Sequence, residues 1–271
     1  MTDFRLPDIT PEAIEATLRE AADAAARETL RHFRTALNVD NKEEGGFDPV
    51  TEADRGAELA IRDVLARNFP GHAISGEEWD RKDADSPYEW IIDPIDGTRA
   101  FISGIPLWGT LIGLTFEGEA VAGMMSQPFT GEAYYGLPGR AWLEHNGETR
   151  AIAVNRSAKL ATAKMATTSP ALFETEASRH GYQRLEAAAR LARYGTDCYA
   201  YALLASGQID LVVEEGLKAV DIAALIPIIE NAGGIITSWS SGRAEQGGQV
   251  VAAANAELHA AALDILGDAA A

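Results

Sequence analysis

One cysteine, Cys198, stands in a chain of 271 residues. An internal disulfide is excluded, and the chain fits a reducing compartment. Cys198 lies in an apolar stretch and reads as a small core residue. Basic residues are also few. The 23 Lys and Arg against 41 Asp and Glu leave a formal charge of −18, which excludes the basic patch of a nucleic-acid binder. Most of that charge reads as a solvated surface. No run of about 20 apolar residues occurs, so no membrane partner is expected. Met1 to Thr10 lack the basic and apolar regions of a signal peptide, and the expected location is cytoplasmic. The five histidines, His32, His72, His145, His180 and His259, are scattered without metal-ligand spacing and read mostly as surface residues. Neither a Gly-rich dinucleotide fingerprint nor a P-loop is present.

What the chain does have is concentrated at Trp90-Ile91-Ile92-Asp93-Pro94-Ile95-Asp96-Gly97-Thr98. An apolar strand runs into two carboxylates three residues apart, and Pro94 between them rules out a continuous helix. Gly97-Thr98 then opens a short helix, Thr98 to Ser103, stopped by Gly104. Backbone N–H groups at such a start suit phosphate, and acids beside them suit cations bridging carboxylate and phosphate. Asp-Pro-x-Asp-Gly is also the composition of an ordinary surface turn. The strand feeding directly into it is what favours a site, since α/β proteins place ligands at strand ends.

Three further acidic elements stand elsewhere. Ile74-Ser75-Gly76-Glu77-Glu78-Trp79 lies just upstream, and Asp48-Pro49-Val50-Thr51-Glu52-Ala53-Asp54 further back. Thr51 and Asp54 also fit a helix capping box. Asp221 opens Asp221-Ile222-Ala223-Ala224-Leu225, where it serves equally as an N-cap or as a ligand.

Periodicity gives a coarse outline. Ile14, Leu18, Ala22, Ala25, Leu30, Phe33 and Leu37 predict a long first helix. A second helix follows Thr51, with Leu59, Ile61, Val64 and Leu65 inside. Strands around 90–92, 110–116, 120–126, 132–136, 141–144 and 150–154 form a largely antiparallel meander, with turns at Glu117-Gly118 and Asn146-Gly147. After about residue 155 the elements alternate. A strand at 164–168 precedes a helix near Arg184–Arg193, and a helix at Thr196–Ser206 precedes a strand at 209–214. A helix from Asp221 to Ala232, strands at 235–238 and 250–253 and a closing helix from Ala256 complete the chain, with 240–248 a surface loop. Two subdomains of one coupled unit follow, 1–154 and 155–271. Periodicity alone supports a mixed α and β class.

Taken together and in order, D-P-V-T-E-A-D at 48–54, G-E-E at 76–78, D-P-I-D-G-T at 93–98 and D-I-A-A-L…A-G-G at 221–234 resemble the inositol monophosphatase superfamily of Mg²⁺-dependent phosphatases. D-G-T-R-A-F-I-S-G at 96–104, W-G-T-L-I-G-L at 108–114 and G-T-D-C-Y-A-Y-A-L-L-A-S-G at 195–207 are most similar to its histidinol-phosphate phosphatase branch; generic members read D-G-T-x-N-F in the first of these. One departure is Val220, where the family carries a bulkier residue beside the substrate pocket.

The resemblance implies an α+β, layered α-β-α-β-α sandwich and a homodimer. It implies a phosphomonoesterase that hydrolyses a small phosphorylated substrate, L-histidinol phosphate, through a metal-activated water and without a phosphoenzyme. Two or three Mg²⁺ ions per site are expected, held by Glu77, Asp93, the Ile95 carbonyl, Asp96 and Asp221. Such hard oxygen donors suit Mg²⁺, and paired cations stabilise entering and leaving oxygens. Thr98 with Asp54, assisted by Glu77, is expected to orient and deprotonate the water. The Gly97 and Thr98 amides take the phosphate. Arg99 meets the phosphate or an acidic neighbour, Lys42 screens the site, and Asp197 and Glu214 lie on the leaving-group side. Asp197 suits a cationic leaving group or, equally, serves as an N-cap of the 198–206 helix. The alternatives are an inositol monophosphatase, a broader small-phosphomonoester phosphatase, and a non-catalytic phospholigand binder.

Overall fold

The computed structural model describes residues 6–42, 47 and 49–270. Two helices form the first layer. α1 (Pro11–His32) starts where the Thr10 side chain accepts the Ala13 amide and Pro11 takes the first turn. Its inner face is Ile14, Leu18, Ala21, Ala22 and Ala25, small enough to let α2 (Glu52–Asn68) pack closely. The first helix is shorter than its apolar spacing predicts. It ends at His32, and Arg34 takes a positive φ of 61°, so Leu37 falls outside it.

Behind these helices lies a seven-stranded sheet in sequential order: β3 (Ala73–Gly76), β4 (Tyr88–Asp96), β5 (Gly109–Phe116), β6 (Glu119–Gln127), β7 (Glu132–Leu137), β8 (Arg140–His145) and β9 (Glu148–Ala151). All its pairings are antiparallel except β3 with β4. A small antiparallel pair, β1 (Val39–Asn41) and β2 (Pro49–Thr51), precedes it. The second sheet has β10 (Lys164–Thr167), β11 (Leu191–Tyr194), β12 (Leu211–Leu217), β13 (Ile235–Ser238) and β14 (Gly248–Ala253) in the order β11-β10-β12-β14-β13.

Between the sheets run α5 (Asp197–Ala205), α6 (Ala219–Ile222) and α7 (Leu225–Asn231), touching β6 and β7 on one side and β12 and β13 on the other. The outer layer is α4 (Glu176–Ala188) and α8 (Ala256–Leu266). With α3 (Thr98–Ile102) at the end of β4, this is the expected α-β-α-β-α sandwich. Among the described residues no helix is long and apolar enough to cross a membrane.

The middle layer sits unusually close to the first sheet. Gly113, Gly123 and Gly136 stand side by side across β5, β6 and β7. A Cβ on Gly123 would lie 2.0 Å from the Ala224 carbonyl oxygen, and one on Gly136 2.3 Å from the Ile228 nitrogen. This glycine row is a groove into which helix backbone is pressed. It also explains why a helix expected to run from Asp221 to Ala232 is divided. Pro227 has no N–H to donate to Ala223, and residues 223–224 form a turn lying on the groove.

Other differences are local. The helix expected near Arg184–Arg193 occupies Glu176–Ala188, capped by Thr175, and 191–194 instead pairs parallel with β10. Leu59, expected inside, is exposed, whereas Glu58 beside it is fully buried. His259 is buried and His72 half-buried, not surface residues.

Candidate active site

β4 carries the central motif to its end. The strand continues through both acids with an irregularity between Asp93 and Asp96, where Pro94 interrupts regular pairing with β5. Asp93 folds back to accept the Ile95 amide at 2.9 Å. Gly97 then takes a left-handed φ of 82°, and α3 begins. Asp221 arrives from the other half of the chain on α6. It is not the N-cap: it sits three residues past Lys218 and accepts the Lys218 amide at 2.7 Å. Oxygens of Asp93, Asp96 and Asp221 lie within 4.8 Å of one another.

The three acids border a cleft of about 220 Å³, also lined by Glu77, Ile95, Gly97, Thr98, Arg99 and Asp197. A larger hollow of about 600 Å³ lies between α1 and β7–β9 and holds none of the motif residues. Burial pushes Asp93 well above the usual carboxylate range, and Glu77, Asp96, Asp221 and Asp54 add like-charge repulsion. Asp96 is raised for the same reasons, by burial first and then by Asp197 and Asp221. Such a set of hard, mutually repelling oxygens fits a divalent cation. Glu77 lines the same cleft but is not one of the three acids that close to within 4.8 Å. Its Oε1 meets the ammonium groups of Lys42 at 3.2 Å and Lys218 at 3.4 Å. Lys42 also pairs with Glu78 at 2.6 Å.

Asp54 is fully buried, and its Oδ2 accepts both the amide and the hydroxyl of Thr51 at 2.8 and 2.6 Å. The capping box is therefore real, and the other oxygen, Oδ1, lies on the Thr98 side. Thr98 Oγ1 lies 3.5 Å from Asp54 Oδ1 and donates more closely, at 3.1 Å, to the Ile95 carbonyl. Asp48, the first residue of the 48–54 motif, lies outside the described residues.

On the far side, Asp197 follows Thr196, the residue at the N-cap position, and takes a positive φ of 42°. The capping alternative for Asp197 is thus ruled out. A Cβ on Gly97 would come 3.2 Å from the Asp197 carboxyl carbon, so the acid packs against the motif turn. Burial pushes Asp197 up to about 6, with Arg99 pulling the other way. Arg99 itself is exposed and donates to the Phe47 carbonyl at 2.5 Å. Glu214 does not line the cleft. It is buried, accepts from Thr167 Oγ1 and from the amide and hydroxyl of Thr168, and is pushed up to about 7 by burial. Its neighbour Glu215 lines the cleft instead, with Pro49, Thr168, Leu172, Gly216 and Leu217. Strand alternation could have flagged that one of two successive acids faces inward, but not which. Val220 is half-buried and lines no part of the cleft.

The sequence pattern of the inositol monophosphatase family matches residues 10–269. The chain belongs to the inositol monophosphatase family. The chain is 41% identical over 272 residues to the chloroplastic bifunctional phosphatase IMPL2 of Arabidopsis thaliana, an alignment covering 96% of this chain and 77% of that protein. It is 35% identical to a histidinol-phosphatase of Chlorobaculum parvum, over 87% of this chain and 90% of the relative. Its fold is similar to the solved structure of an inositol monophosphatase from Zymomonas mobilis, with a TM-score of 0.83 and 39% identity over 96% and 99% of the two chains. This inositol monophosphatase family member is a phosphoric monoester hydrolase acting on small phosphorylated substrates. The family is generally metal-dependent, and its acid cluster here is Asp93, Asp96 and Asp221.

Proposed function

We propose that this enzyme is a Mg²⁺-dependent phosphatase that hydrolyses L-histidinol phosphate to L-histidinol and inorganic phosphate. The observation that carries the substrate assignment is Asp197, a carboxylate on the cleft wall against Gly97. An acid there favours a cationic leaving group over a neutral polyol. Similarity to the Chlorobaculum parvum histidinol-phosphatase supports the same reading. Similarity to the Zymomonas mobilis enzyme favours the second reading, an inositol monophosphatase or a broader small-ester phosphatase.

In this scheme Asp93, Asp96 and Asp221, with Glu77 and the Ile95 carbonyl, hold two or three Mg²⁺ ions. Bound there, the cations supply Lewis-acid stabilisation of charge on the phosphoryl group. The Gly97 and Thr98 amides orient the phosphate oxygens. Thr98 Oγ1 turns from the Ile95 carbonyl towards Asp54 Oδ1 and orients a water for in-line attack, with Glu77 assisting. As the new P–O bond forms and the ester P–O bond breaks, the water proton passes through Thr98 towards Asp54, and the leaving oxygen takes a proton from a solvent water to depart as the alcohol. Asp197 holds the departing amine-bearing alcohol. A homodimer in a reducing compartment completes the proposal; a single buried cysteine, Cys198, is compatible with that environment.

The test is phosphate release from L-histidinol phosphate and myo-inositol 1-phosphate side by side, with Mg²⁺ and with chelator. A strong, chelator-sensitive preference for the histidinol ester is expected. Preference for the inositol ester would move the assignment to the second reading.

A further inference from the structure

Glu58 is a charged residue that no motif singles out. It projects from α2, is 0% exposed, and neither hydrolysis nor substrate binding as described above uses it. Its two oxygens are both committed. Oε1 accepts Arg62 Nε at 2.7 Å, one helical turn along, and Oε2 accepts the backbone amide of Glu78 at 2.8 Å. Arg62 completes the contact by donating to the Trp79 carbonyl at 3.0 Å, and the Trp79 indole N–H donates back to the Arg55 carbonyl at 3.2 Å. Two side chains of α2 thus satisfy one donor and one acceptor of the loop that follows β3. The Glu58 carboxylate also fills the space above Gly76. A Cβ there would lie 1.9 Å from Glu58 Oε1, so glutamate placed as it is at 58 requires glycine at 76.

We infer that Glu58, paired with Arg62, is a positioning residue that sets the orientation of Glu77 towards the metal cluster. The inference rests on the metal-binding reading of the site. Glu77 lies between Gly76, against which Glu58 packs, and Glu78, whose amide Glu58 holds. Fixing the chain on both sides fixes the direction in which the Glu77 side chain leaves it. The two lysines pair with the Glu77 carboxylate itself, whereas Glu58 acts on the loop backbone from which that side chain leaves. A buried carboxylate retained for a backbone amide and one arginine is costly unless every lone pair is used. Here all the contacts serve one loop. Residues that orient a ligand from behind typically alter metal affinity 10–100-fold.

The test is calorimetric Mg²⁺ binding to the full chain, with melting in EDTA as the measure of folding. The variants are Glu58→Gln, Glu77→Gln and the double substitution. Glu58→Gln is expected to weaken Mg²⁺ binding about tenfold in the wild-type background and less than twofold when Glu77 is already glutamine. Equal losses in both backgrounds, or no loss in either, would overturn the inference. Arg62→Met, which keeps Glu58 but removes the Trp79 contact, should show the same background dependence and serves if Glu58→Gln does not fold. Wild-type protein that binds no Mg²⁺, or that is unaffected by Glu77→Gln, would overturn the metal reading itself.

Discussion

The backbone N–H of Cys198 donates a 2.7 Å hydrogen bond to Oδ2 of Asp96, across 102 residues of sequence. This bond ties the end of β4 to the start of α5 and so joins the first sheet to the middle helical layer at the acid cluster. Asp197 adopts its positive φ immediately before it, and that conformation both points the Cys198 amide at Asp96 and lays the Asp197 carboxylate beside Gly97. Non-glycine residues held in this region cost of order 1 kcal/mol or more and persist where the surroundings compensate. Cys198, expected to be only a core residue, is therefore core and contact to a candidate ligand at once.

Mg²⁺ should stabilise the fold. Asp93 is 2% exposed and repelled by four other acids, so its charge opposes folding until a cation enters. Asp93→Asn retains an oxygen for the Ile95 amide. We expect it to abolish turnover, to raise the melting temperature in EDTA, and to erase most of the Mg²⁺-induced rise. Scanning calorimetry with and without millimolar Mg²⁺ measures all but turnover; an unchanged Mg²⁺ response would remove Asp93 from the ligand set.

Gly123→Ala should be among the most damaging single methyl additions in the chain. The added carbon meets backbone, Ala224 O at 2.0 Å, which no side-chain rotation relieves. A loss above about 4 kcal/mol, or failure to fold, is expected from overpacking of this kind. Gly71→Ala is the control, because its φ is not positive and nothing lies within 4 Å of a Cβ there. Urea denaturation of both variants checks the difference.

Asp197 should make recognition of a cationic ester pH-dependent. With the group pushed up to about 6, it is charged at pH 7.5 and loses its charge as pH falls to 5. Asp197→Asn should raise KM for L-histidinol phosphate at pH 7.5 by about tenfold, leaving a neutral ester nearly unaffected. The gap between variant and wild type should close towards pH 5, since both are then neutral. A gap constant with pH would assign the effect to shape.

His72 should weaken the fold in acid. Its Nδ1 accepts the Trp90 indole N–H at 3.1 Å, and its ring stacks between Phe69 and Tyr88. Burial, then the Lys82 charge, holds it below the usual histidine value. The unfolded chain therefore takes up the proton first, and this group's stabilising contribution, present above the unfolded value of about 6.5, is lost as pH falls through the folded value. Melting temperatures at pH 7.5 and 5 for wild type and His72→Asn test this. The wild type should lose more than the variant on acidification.

The residues of the candidate site stood out in the chain because the features that mark them are local. Pro94 breaks the backbone, Gly97 turns it, and Asp93, Asp96 and Thr98 follow a strand whose apolar run is visible. Thr51 and Asp54 announce a helix start by their spacing alone, and the hairpin turns are set by residues such as Asn146-Gly147. Those features depend on φ, ψ and side-chain type within a few residues, which sequence states directly.

Tertiary structure decided everything that depends on one segment's backbone meeting another. Only folding shows that Asp221 reaches Asp93 because a glycine row admits α6 and α7 against β5–β7, or that Pro227 divides the helix there. The same holds for Glu214, which turns inward to Thr167 and Thr168 while Glu215 lines the cleft, and for Glu58, whose carboxylate occupies the volume Gly76 leaves free. Each is a close contact between groups distant in sequence, set by packing and by the need to satisfy buried polar atoms, and neither periodicity nor composition encodes which partner will be met.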